Sequence, residues 1–192
     1  MRMLPCRPVS RFHRIGAAAL LCLVPLARAQ ASETITATAS VKSSGGVAAT
    51  APLSVAVDRF STDTERDEIL AALKKDGTDG VTRLLLSRPP IGTLKIGNQL
   101  TAIKYIYAGP IGDGRLITAV TGSPIAFIGA AAPGAKPRAG FDLGLVILEV
   151  MTSGPGHGEL VPATKLRLND QGAIVTEDYS AEVVQLSNVV GK

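Results

Sequence analysis

From Glu33 to Val41 the chain alternates without a break. Ile35, Ala37, Ala39 and Val41 fall on one side; Thr34, Thr36, Thr38 and Ser40 fall on the other. A period of two is the mark of a half-buried β-strand, because a helix would repeat its apolar face every three or four residues. Thr suits such a strand, since its branched Cβ packs well on a pleated surface. Residues 53–60 repeat the pattern with Leu53, Val55 and Val57 on one side. After Pro90 the chain reads as strands to its end, over 91–96, 100–108, 115–121, 125–128, 141–152, 159–168, 173–178 and 181–190. Ile103, Tyr105 and Tyr107 are expected on one face of the second of these. Gly112-Asp113-Gly114 is a tight hairpin turn. Residues 141–152 are apolar on both faces, which predicts a central strand.

One segment breaks the period. Thr62 and Glu65 have the spacing of a capping box, in which the Thr hydroxyl accepts from the amide three residues on and the Glu reaches back. Ile69, Leu70 and Leu73 then form a helical stripe. Lys74 and Lys75 lie in the last turn, and Gly77 is expected to stop the helix. A second short helix is predicted over 79–87, with Val81, Leu84 and Leu85 buried and Pro89-Pro90 ending it. Residues 42–52 and 130–140 are rich in Gly, Ala and Pro and read as surface loops. The expected fold class is α+β: a curled antiparallel β-sheet or open β-barrel or sandwich, with two short helices inserted between strands 2 and 3.

Residues 1–31 are read as a signal peptide and set aside from the fold. Arg2, Arg7, Arg11 and Arg14 form an acid-free head, and the apolar run from Ile15 to Leu26 comes next. That run has 12 residues, within signal-peptide length and short of the roughly 20 needed to cross a bilayer. Ala27-Arg28-Ala29 then supplies the small side chains at Ala27 and Ala29 that signal peptidase recognises. Residues 32–192 are expected to form a single β-rich globular domain, exported to a periplasm or to the cell exterior. No second apolar span occurs later, so no transmembrane segment is expected in the mature chain.

Without the leader the composition changes meaning. The whole chain has 20 Lys and Arg against 16 Asp and Glu; five of the arginines and none of the acids lie in the leader. The remainder holds 15 against 16, a net charge of −1. The basic balance therefore gives no argument for a nucleic acid partner. Cys6 and Cys22 also lie in the leader, so the mature domain can form no disulfide and no thiolate metal site. Its core alone must hold it, which is feasible for a chain burying about 70% of its unfolded surface.

Few residues carry a pattern that chemistry requires. His157 is the one histidine outside the leader and could couple with Glu159, but a catalytic zinc needs about three protein ligands. No Gly-x-Ser-x-Gly elbow occurs, and Pro124 removes an amide beside Ser123. The glycines of residues 154–158 precede no helix that could hold a phosphate. Asp76 to Gly80 lack the ligand spacing of a calcium loop. No metal or cofactor is expected. Tyr105 and Tyr107 could form the stacking wall of a ligand pocket, or the edge of a core. Arg115 and Glu149, with Asp142, are the charges expected to be partly buried, and Glu149 sits in an otherwise apolar strand. Tyr105, Tyr107, Arg115 and Glu149 are thus the candidate binding residues.

No family motif is present. The β-rich plan is similar in outline alone to exported β-barrel binders such as the lipocalins, and outline carries no function. The expected function is non-enzymatic binding of a small apolar molecule or a protein partner. Two alternatives stand beside it. One is a hydrolase or isomerase using a carboxylate pair drawn from Asp142, Glu149 and Glu159; the other is an assembly protein pairing through an edge strand.

Overall fold

The computed structural model describes residues 32–42, 48–127, 140–168, 174–178 and 184–192. Residues 1–31, expected to be a leader, lie outside them with Ala27 and Ala29, as does nearly all of the loop expected over 130–140.

Among the described residues, nine strands and one helix come in the order β1 (Glu33–Lys42), β2 (Ala48–Val57), α1 (Asp63–Leu86), β3 (Gly92–Ile96), β4 (Gln99–Ile111), β5 (Gly114–Thr121), β6 (Leu143–Met151), β7 (Gly156–Leu168), β8 (Ile174–Asp178) and β9 (Val184–Gly191). Every pairing is antiparallel. The strands run β6-β5-β4-β3-β2-β1-β9-β7, and β7 pairs back onto β6. This is a closed eight-stranded barrel, not the curled sheet, open barrel or sandwich expected from the sequence. β7 closes the ring: Gly156 to Leu160 pair with β9, and Gly158 to Thr164 pair with β6. Its last residues, Thr164 to Leu168, pair with β8, which flanks the barrel.

The helical expectation is corrected too. One helical element replaces the two short helices, and Gly77 is a kink inside it with φ 63° and ψ −153°. A positive φ is open to Gly without the steric cost that a Cβ imposes. Asp76 and Arg83 bridge the kink with an ion pair of 2.8 Å. The capping box at the start is present, with Glu65 N–H donating to Thr62 Oγ1 and Thr62 N–H to Glu65 Oε2. Two further boundaries move. Residues 48–52, expected in a loop, belong to β2 and pair with β1. Residues 125–127, expected in a strand, have no regular structure, and Ile125 and Phe127 pack against the barrel core instead.

The interior is filled. Ile35, Leu53, Val55, Leu94, Ile103, Ile106, Ile117, Leu148 and Leu160 are fully buried and belong to one cluster. An eight-stranded ring is just wide enough for side chains to fill it. Ile125 approaches the wall at Gly144, where an added Cβ would lie 2.5 Å from Ile125 Cγ1. A second cluster lies outside the ring. There Ile69, Leu73, Val81 and Leu85 of α1 meet Tyr105, Val120, Leu143, Leu145, Val161 and Leu166. β6 is therefore apolar on both faces because one face fills the barrel and the other lies under the helix. In a closed ring there is no central strand.

Candidate functional site

An open groove of about 520 Å3 lies on the outer wall beside α1. Tyr105 and Tyr107 of β4, Leu116 and Thr118 of β5, and Leu145 and Ile147 of β6 line it, with Arg66 and Leu70 of α1 and Thr176 of β8. Register explains why these side chains meet. Tyr107 is opposite Thr118 and Thr118 opposite Ile147; Tyr105 is opposite Val120 and Val120 opposite Leu145.

The tyrosines reach this wall through a bulge. Ile103 pairs with Thr121 but Tyr105 with Val120, so Lys104 is one residue too many on β4. An extra residue makes the strand beyond it face the opposite way from the strand before it. Ile103 therefore points into the barrel while Tyr105 and Tyr107 point out, and the single face expected for all three is corrected. The two rings are parallel within 8° and 6.4 Å apart. Tyr105 is buried, and desolvation, with Tyr107 nearby, pushes its hydroxyl up to about 12.

Helix α1 is held over these rings by its entry. Ser61 N–H donates to Ile106 O at 2.6 Å, and Ile106 N–H donates to the Ser61 hydroxyl at 3.2 Å. Arg66 Nη1 then donates to Tyr107 Oη at 2.8 Å, and the Tyr107 hydroxyl donates to Asp63 Oδ1 at 2.8 Å. The guanidinium also stands 5.2 Å from the Tyr107 ring centroid, within cation–π range. Asp63 at 3.4 Å and Asp67 at 3.1 Å pair with it. The bond to Asp67 is the main reason that the Arg66 guanidinium holds its proton more tightly than usual.

The other candidate residues lie elsewhere. Arg115 is at one end of the barrel, ion-paired with Glu33 and placed 5.8 Å from the Phe60 ring. It lines a basin of about 650 Å3 with Met151, Thr152, Pro155 and Val190. Glu149 projects from the outer wall, 32% exposed, and His157 Nε2 lies 3.1 Å from its Oε2. Of the three carboxylates considered as a catalytic pair, Asp142 is exposed just before β6, remote from Glu149. Glu159 is opposite Ile147, which puts it diagonal to Glu149, but neither carboxylate lines the groove or the basin. No group of three or more metal-ligating side chains occurs among the described residues, and no helix there is long and apolar enough to cross a membrane.

Sequence reasoning found two groove residues, Tyr105 and Tyr107, and missed Arg66, Leu70, Leu116, Leu145 and Ile147. A faint signal existed at Leu116, an apolar residue on the face of β5 opposite Ile117 and Ala119. No protein family, curated protein or solved structure matches the chain.

Proposed function

We propose that this chain is an exported, non-enzymatic binding domain that holds a small apolar molecule in the groove beneath α1. The observation that carries this reading is the meeting of Tyr105, Tyr107, Leu116, Leu145 and Ile147 with Leu70 of the helix in one open groove. Its volume lies in the range of roughly 300–1,000 Å3 common to small-molecule sites, with an apolar lining and a few polar groups. The barrel interior is packed with its own side chains, which moves recognition to the surface. Closure takes free edges from eight strands, leaving β8 as the terminal strand in the pairing order. Pairing through an edge strand is correspondingly less favoured. Export rests on the leader over 1–31, with Ala27 and Ala29 as the small residues that signal peptidase recognises.

Nile red is a suitable probe because it is neutral and its emission shifts in apolar surroundings. The leader-free protein should bind it saturably, and Ile147→Glu, which sets a charge in the groove floor, should abolish binding without changing the circular dichroism. Absence of saturable binding to the folded protein, or binding unchanged in Ile147→Glu, would overturn the reading.

A further inference from the structure

We infer that the groove's occupant is an uncharged ester or ketone, held by a hydrogen bond from the Tyr105 hydroxyl to its carbonyl oxygen. This rests on the groove reading above and adds the ligand's charge and its one polar group. Tyr105 lines the groove and is 7% exposed. Val120 and Leu145 stand beside it on β5 and β6, and Ile69 and Leu73 of α1 belong to the same apolar cluster. Its hydroxyl has no hydrogen-bond partner among the described residues. The Tyr107 hydroxyl, by contrast, accepts from Arg66 and donates to Asp63. A buried phenol without a partner has given up its bonds to water, so a ligand that supplies an acceptor restores what burial took away. Burial also raises the hydroxyl to about 12, so it keeps its proton at neutral pH. A phenol donates more strongly than it accepts, because its lone pair is drawn into the ring.

The lining excludes charge of either sign. Arg66 is the one charged residue in it. Each of its three guanidinium nitrogens is engaged: Nε and Nη2 donate to Asp67, and Nη1 donates to Tyr107 Oη. An anionic head would have to displace these bonds beside the Asp63 and Asp67 carboxylates, which would repel it. No carboxylate lines the groove, so a cation would find no counter-charge there. Leu70, Leu116, Leu145 and Ile147 cover an apolar body, and the half-buried Thr118 and Thr176 hydroxyls can turn to donate or accept. An ester or ketone brings acceptors and no donor, so it leaves no polar hydrogen of its own unmet against the apolar floor.

Displacement of Nile red from the leader-free protein at neutral pH, by methyl octanoate, octanoate, octylamine and octene, separates these cases. Nile red's own affinity is measured in each variant. Methyl octanoate should bind tightest. Tyr105→Phe should weaken it about threefold to tenfold, the worth of one neutral hydrogen bond, and leave octene unchanged. Octanoate or octylamine binding as tightly as the ester, or an ester affinity unmoved by Tyr105→Phe, would overturn the inference. Equal weakening of ester and octene would overturn it too, since packing and not a hydrogen bond would then be at work. If Nile red binds saturably in those cases, the groove reading stands and the ester alone falls; if Nile red does not bind the folded protein, both fall.

Discussion

The Thr78 hydroxyl grips both backbone polar groups of Leu166, donating to the carbonyl at 2.7 Å and accepting from the amide at 2.9 Å. Thr78 comes directly after the kink of α1, and Leu166 lies where β7 has run past β6 and pairs with β8. One side chain thus ties the helix to the strand that closes the ring. Thr78→Val keeps the shape and strands two backbone groups, at a cost of about 1–3 kcal/mol. Thr78→Ser should restore most of it. Urea unfolding of both variants, with amide exchange at Leu166, measures this.

Ile125 is 1% exposed and packs into the barrel core from a segment without regular structure. Ile125→Ala should therefore destabilise by about 2–5 kcal/mol, as a truncated core side chain does. A loss under about 1 kcal/mol in denaturant titration would mean that the segment is not part of the cooperative core.

The Glu65 carboxyl is held down to about 2, first by its two bonds to Arg59 and further by the Thr62 amide. A lowered carboxyl stabilises the fold above its unfolded value and loses that contribution as pH falls. The window runs from about pH 4.5 to about pH 2. Glu65→Gln should cost about 1 kcal/mol at neutral pH, because the pair is partly solvated, and should flatten the acid limb of the stability curve.

Tyr105 behaves in the opposite sense. Its hydroxyl is raised to about 12 by burial, so the unfolded chain gives up that proton first. The contribution is complete below about pH 10 and is lost as pH rises toward 12. Tyr105→Phe should remove this part of the alkaline destabilisation. Ultraviolet titration of the phenolates should show one fewer late-ionising group in the variant.

Recognition of Ala27 and Ala29 by signal peptidase predicts an exported protein that has lost the leader, with Cys6 and Cys22. Ala29→Arg should block processing, because the peptidase pocket admits only small side chains there. Intact mass measured on the exported and cell-associated fractions checks both statements.

Much of the strand content was legible because it is local. Residues 33–41 alternate so strictly that the order of Thr and Ala alone is enough to place β1, and Thr62 with Glu65 announces the start of α1. Three readings failed for one reason, that pairing partners are remote. Residues 48–52 look like a loop by composition, yet β1 pairs with all of them. Gly77 looks like a stop, yet the helix resumes beyond it and Thr78 finds Leu166. Nothing near Lys104 marks a bulge, which exists only relative to the register of β5. The candidate site was half visible: Tyr105 and Tyr107 were found, but the partners that make them a groove come from β5, β6, α1 and β8.

Unaided, the chain determines the period of its strands, the cap of its helix, and a thiol-free body beyond residue 31 that must be held by packing. Tertiary structure alone decided that β7 would close the ring onto β6, and that Leu145 and Ile147 would face outward beneath α1. The physical reason is range. Periodicity and capping act within a few residues, whereas closure and register depend on strands separated by tens of residues, where a slip of one position exchanges the inside for the outside.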